Sequence, residues 1–119
     1  MKRNMDIARQ ILLEIEKNPK LDSWVDMKAL PYDEDVIYYH IKLLKQAGLI
    51  EAINIKDSMK NGWAAKSLTW HGHEFLDAAR NNSNWERAKK YIKTKGGSLT
   101  FETIKLTLSL LLKKQLEIF

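Results

Sequence analysis

Asp33-Glu34-Asp35-Val36-Ile37-Tyr38-Tyr39-His40-Ile41-Lys42-Leu43-Leu44-Lys45-Gln46-Ala47-Gly48-Leu49-Ile50 holds a helix, its stop signal and the start of a strand. Ile37, Ile41, Leu44 and Ala47 recur at intervals of three and four, which lines them along one side of a helix. Asp33, Glu34 and Asp35 fall in the first turn, where the helix dipole favours negative charge. Gly48 follows as a residue able to take the left-handed turn that ends helices, and Leu49-Ile50 leave in an extended direction. With the apolar stripe packed inward, Tyr38, Tyr39 and Lys42 are left facing outward.

The flanking segments extend this pattern. Ile50 to Ile55 and Trp63 to Trp70 are β-prone, and the polar stretch Lys56 to Gly62 between them ends in Asn-Gly, a hairpin signal. Upstream, Ile7, Ala8, Ile11, Leu12 and Ile15 predict a helix over Asp6 to Lys17. Asn4 or Asp6 would cap it, and Asn18-Pro19 would end it. Leu21 to Leu30 has no helical period; Ser23 to Met27 reads as a short strand, followed by a turn at Pro31-Tyr32. Downstream, Thr69 would cap a helix running through Phe75, Leu76 and Ala79. Asn81 to Asn84 would break the chain, and a further helix would run from Trp85 to about Lys95, ending at Gly96-Gly97. The last segment alternates like a strand over Ile104 to Leu110. However, Phe101, Ile104, Leu108 and Leu111 share a helical face, and its length favours helix.

The expected fold is therefore α+β and mostly helical. Residues 1–82 would form a domain with a two- or three-stranded wing. Residues 83–119 would form a helical extension, packed on that domain or serving as a dimer interface, within one structural unit. Tyr39 to Ile50 resembles the recognition helix of bacterial winged helix-turn-helix regulators and its exit into the wing. Leu68-Thr69-Trp70-His71-Gly72-His73-Glu74-Phe75-Leu76 resembles their step from the wing into the next helix. More closely, residues 1–115 resemble a family of small phage- and prophage-associated proteins classed as a domain of unknown function. The Met-Lys-Arg start, the two motifs above and Gly96-Gly97-Ser98 carry that likeness. The resemblance implies a winged-helix fold and brings no catalytic residues. One departure is that Leu21 to Pro31 is a poor helix candidate, where DNA-binding relatives place a bracing helix.

Composition narrows the function classes. A chain of 119 residues that is 45% apolar can bury a core and is not disordered. The lack of cysteine excludes disulfides, Cys-based zinc sites and a thiol nucleophile, and fits a reducing compartment. Met1 to Asp6 has no apolar signal core, and no apolar run approaches the roughly 20 residues of a membrane span. A cytoplasmic location is the expectation. The net charge of +5 is uneven: residues 1–20 carry +2, 21–50 carry −2, 51–82 balance, and 83–119 carry +5.

On a DNA-binding reading, Tyr38, Tyr39, Lys42 and Lys45 would face a major groove while Lys56 and Lys60 on the wing touch phosphates. Against it, the helix N-terminus that normally meets the bases reads Asp33-Glu34-Asp35, and no arginine or glutamine lies nearby to read guanine or adenine. The leading expectation is nonetheless a phage-type transcriptional regulator or accessory protein that binds duplex DNA. The alternative is a winged-helix scaffold used for protein–protein contact. Homodimerisation is expected through Phe101, Ile104, Leu108 and Leu111, because the last helix is apolar on more than one side. Enzyme signatures such as a phosphate loop or nucleophile elbow are absent, so no catalysis and no cofactor are expected. His71 and His73 sit two apart and His40 is distant, so no metal site is expected and the histidines read as partly exposed packing residues. Trp24, Trp63, Trp70 and Trp85 read as filling a thin core between wing and helices. Membrane-surface binding is disfavoured by the few cations opposite the last helix's apolar face.

Overall fold

The computed structural model describes residues 1–57 and 60–117, and for residues 56, 57, 60 and 61 the backbone alone. Among the described residues, five helices and one two-stranded antiparallel sheet follow in chain order. They are α1 (Met5–Glu16), α2 (Glu34–Gln46), β1 (Ile50–Asp57), β2 (Lys60–Leu68), α3 (Trp70–Ala79), α4 (Asn82–Thr94) and α5 (Phe101–Leu116). The fold is α+β and mostly helical. It divides into two compact units, residues 1–73 and 74–119, so that α3 contributes to both. Among the described residues no helix is long and apolar enough to cross a membrane.

The first unit begins at Asn4, whose side-chain oxygen accepts from the Asp6 and Ile7 amides at 2.9 and 3.3 Å and so caps α1. Helix α1 buries Ala8, Ile11, Leu12 and Ile15; α2 buries Ile37, His40, Ile41 and Leu44. His40 is 1% exposed, where the sequence suggested a partly exposed ring. Its Nδ1–H donates to the Val36 carbonyl at 2.8 Å, leaving Nε2 to accept from the Asn4 amide at 2.9 Å. A fully bonded imidazole is cheap to bury, and this one ties α2 to the start of α1.

Strands β1 and β2 pair from Ile50↔Leu68 to Asp57↔Lys60, with Lys66 as the extra residue of a bulge opposite Glu51/Ala52. The ribbon is longer than the β-prone runs suggested. Asn61-Gly62 lies inside β2 opposite Lys56 and Ile55, and does not form the turn. A side chain at position 62 would press on the Tyr38 ring at 3.1 Å, so glycine here leaves room for that ring. Trp70 belongs to α3, not to the strand.

Residues 17–33 contain neither helix nor strand. The expected strand at Ser23–Met27 does not form: Val25 N–H donates to the Ala65 carbonyl at 2.9 Å, and among the described residues the sheet has two strands. Asn18 orders the segment: its amide donates to the Ser23 carbonyl at 3.1 Å and its oxygen accepts from Ser23 Oγ at 3.2 Å.

Where α2 ends, Gly48 adopts φ 76°, and the wing returns to meet it. Thr69 Oγ1 donates to the Gly48 carbonyl at 2.6 Å and accepts from Gly72 N–H at 3.1 Å, while its own N–H donates to the Leu49 carbonyl at 2.9 Å. One threonine thus caps α3 and fastens it to the exit of α2.

In the second unit, Phe75 lies 4.6 Å from Phe101 and meets Trp85 edge-on at 6.3 Å. Leu76, Ala79, Ala88, Ile92, Ile104 and Leu108 complete a core, each at most 5% exposed. Asn81, expected as part of a break, instead caps α4 by accepting from Asn84 N–H at 3.0 Å, so α4 starts at Asn82. Helix α5 opens with a capping box between Thr100 and Thr103. Its last turn is held by Gln115 Nε2 donating to Asn84 Oδ1 at 3.0 Å.

The tryptophans do not form a shared core. Only Trp85 is buried; Trp63 is half-buried, and Trp24 and Trp70 are 48% and 79% exposed. The ribbon's own share of the core is Ile50, Ala52, Ala65 and Leu68.

Candidate nucleic-acid interface

The buried side of α2 fixes what its other sides can present. With Ile37, Ile41 and Leu44 inward, helical geometry sends Asp35, Tyr39, Lys42 and Gln46 along the opposite ridge. Lys42 and Gln46 are exposed. Tyr39 is half-buried, its ring edge-on to His40 at 5.7 Å and 89°. Lys45 is exposed on the flank nearest the ribbon, with its Nζ 5.6 Å from the centre of the Trp63 ring.

Tyr38 is half-buried, as Tyr39 is, where the sequence suggested that both face outward. Its hydroxyl donates to the Glu34 carboxylate, and its ring packs beside Gly62 of the ribbon. The i, i+4 spacing of Glu34 and Tyr38 makes that bond local, while the glycine supplies the space. Lys56 and Lys60 lie in the paired strands, and their side chains fall outside the described residues. The structure therefore leaves Lys42 and Lys45 exposed on α2, with Tyr38 and Tyr39 half-buried beside them. Sequence reasoning missed Gln46, whose signal was available in the i+4 step from Lys42.

Charge on this side is nearly balanced. Asp33, Glu34 and Asp35 are all exposed at the N-terminal end of α2, and Lys42 and Lys45 at the C-terminal end. Residues 1–73 as a whole hold eleven cations and ten anions, a net +1.

Beside α2 lies a feature that the sequence did not announce. A groove of about 520 Å³ runs between residues 25–32, the N-terminal half of α2 and the ribbon. Its floor is apolar, with Val25, Leu30, Ile37 and Ile41 among its lining, and Asp26, Lys28 and Glu34 also border it.

The candidate dimer residues are placed differently from expectation. Ile104 and Leu108 are 0% and 1% exposed, and Phe101 and Leu111 are half-buried. This stripe serves the interior of its own chain, since the α5 side that meets α4 is the side these residues occupy. The leucines left outside are Leu106, Leu110, Leu112 and Leu116, between 46% and 64% exposed. His71 and His73 are exposed, and among the described residues no group of three or more histidine or acidic side chains is placed to hold a metal ion.

By fold and surface, the first unit is an α+β module holding one lysine-bearing helix against a two-stranded ribbon. The chain belongs to the family described as Hypothetical protein (DUF2513), which matches residues 2–98. That span covers the ribbon and α4 and stops before α5. The chain is also 41% identical over 106 residues to an "Uncharacterized protein" of Haemophilus influenzae, covering 88% of this chain and 90% of the relative. No solved structure matches.

Proposed function

We propose that residues 1–73 form a winged-helix module and that the protein binds duplex DNA, as a phage-type regulator or accessory protein, mainly through phosphate contacts. The observation that carries this reading is the placement of α2. Its apolar side is locked beneath the ribbon while Lys42, Lys45 and Gln46 stand toward solvent. Phosphate contact is favoured over base reading because the three carboxylates of Asp33, Glu34 and Asp35 occupy the end that would approach the bases. The reading is tested by titrating salt against a labelled random duplex. Affinity should fall steeply, and Lys42→Ala with Lys45→Ala should lower the log–log slope by about 1.8, at about 0.9 per phosphate contact. Absence of any binding at low salt would remove the DNA reading.

A second reading is favoured by the groove. Its apolar floor beside the Asp26 and Glu34 carboxylates suits a partner that inserts apolar side chains flanked by cations. We also propose that two copies pair through the exposed leucines of α5, which are too many for a solvated helix face.

A further inference from the structure

We infer that the solvent-facing ridge of α4, formed by Arg87, Lys90 and Lys93 with Tyr91 beside it, is a phosphate-binding surface for nucleic acid. We infer further that it supplies more of the salt-dependent affinity than α2 does. This rests on the reading that the protein binds duplex DNA and names a surface which that reading did not include.

Helix α4 buries Trp85, Ala88 and Ile92, exposed 1%, 0% and 5%. The 3.6-residue repeat then sends Ser83, Arg87, Lys90 and Thr94 along the opposite side, with Lys93 adjacent. Arg87, Lys90, Lys93 and Lys95 are exposed. Glu86, the one anion of this helix, faces Lys89 at 3.2 Å, and Lys89 is only 12% exposed. That leaves four cations within nine residues that, among the described residues, form no ion pair.

Helix stability does not account for them. Cations help a helix in its last turn, which covers Lys93 and Lys95, but Arg87 and Lys90 stand in the middle. Like charges three and four apart weaken a helix slightly. Nor is there a carboxylate in the first turn of α4, which opens with Asn82, Ser83 and Asn84 under the Asn81 cap. Helix α2 differs on this point: its two exposed lysines share a helix with exposed Glu34 and Asp35.

The chemistry selects nucleic acid over a lipid surface. Arg87 to Lys93 spans about 9 Å along the helix at about 1.5 Å per residue, while duplex DNA offers a charge about every 1.7 Å. The large apolar side chain on the exposed part of α4 is Tyr91, 56% exposed, with Lys95 Nζ 5.7 Å from its ring centre. One tyrosine is too little to insert into a bilayer, whereas a row of cations suits the closely spaced phosphates of a duplex. The charge balance of the units agrees, with nine cations and five anions in residues 74–119, a net +4.

The full chain is titrated with salt against a labelled random duplex, alongside two variants. One is Arg87→Gln/Lys90→Gln/Lys93→Gln; the other is Lys42→Gln/Lys45→Gln. The triple should lower the slope by about 2.7 and the pair by about 1.8. A conservative Lys90→Arg/Lys93→Arg variant should keep the wild-type slope, and unchanged circular dichroism melting shows that each variant folds. A triple variant with wild-type slope, while the pair flattens it, overturns this inference and leaves the DNA reading standing. No duplex binding by the wild type at low salt overturns both. Tighter binding to phosphatidylserine vesicles than to duplex, lost in the triple variant, overturns the assignment to nucleic acid.

Discussion

Gly72→Ala should destabilise the protein, although alanine is ordinarily the better helix residue. In a solvent-facing helix the exchange gains about 1 kcal/mol. Gly72 lies in the first turn of α3, and a Cβ there collides with the Leu49 carbonyl oxygen and sits 3.1 Å from its carbon and 3.3 Å from Leu68 Cβ. Two of these three atoms are backbone, and that same carbonyl accepts Thr69 N–H at 2.9 Å. No rotamer change relieves the contact. Either α3 lifts off the strand exit or the Thr69 junction with Gly48 and Leu49 opens. Overpacking of this kind costs about 1–3 kcal/mol, and the lost junction bonds add about 1 kcal/mol each. A net loss of about 3 kcal/mol, after the helix gain, is expected. That corresponds to a Tm drop of about 10 °C for a chain of this size. Urea denaturation followed by circular dichroism reads the free energy. A Gly72→Ala protein as stable as the parent, or more stable, would show that α3 does not approach the ribbon this closely.

Replacing His40 by leucine keeps the volume but strands the Asn4 amide, at a cost of about 1–3 kcal/mol, while the Val36 carbonyl keeps its helical backbone bond. Amide exchange at the start of α1 should quicken, and unchanged exchange there would count against the staple between α1 and α2. Leu108→Ala should cost about 2–5 kcal/mol without altering the mass in solution, because its side chain is 1% exposed within its own chain. Leu106→Glu with Leu110→Glu should cost little stability and convert a dimer to monomer by light scattering. A parent chain that is already monomeric removes the pairing proposal.

What was legible in the sequence is what local pattern dictates. The stripe Ile37, Ile41, Leu44 followed by Gly48 is complete within a dozen residues, and the helix, its stop and the strand after it all form there. Features that depend on distant partners were not legible. Tyr38 packs beside the ribbon where position 62, distant in sequence, is a glycine that leaves its ring room. His40 is interior because a backbone amide 36 residues earlier is there to meet it. The α5 stripe was visible as apolar, but periodicity cannot say whether the surface opposite belongs to α4 or to another chain. The Asn81 to Asn84 run misled for a chemical reason: asparagine both breaks helices internally and caps them, and the side-chain bond to Asn84 N–H decides for the cap.

The location of charge bears on how a module of this shape could hold DNA at all. A helix-turn-helix braces its reading helix with a preceding helix that also meets the backbone. Here residues 17–33, which precede α2, hold no helix, and the unit they belong to is close to neutral. Lys42 and Lys45 alone would give a salt slope near 2, which is weak even for nonspecific binding. Adding Arg87, Lys90, Lys93 and Lys95 brings about six contacts and a slope near 5. The slope of the intact protein, set beside that of the α4 triple variant, therefore weighs the two units. A value near 2 leaves α2 as the whole interface. A value near 5 that the Arg87→Gln/Lys90→Gln/Lys93→Gln variant lowers by about 2.7 puts cations of the second unit on the duplex, whereas a value near 5 that the variant leaves unchanged assigns the excess to other cations of the ribbon-bearing unit, which holds eleven.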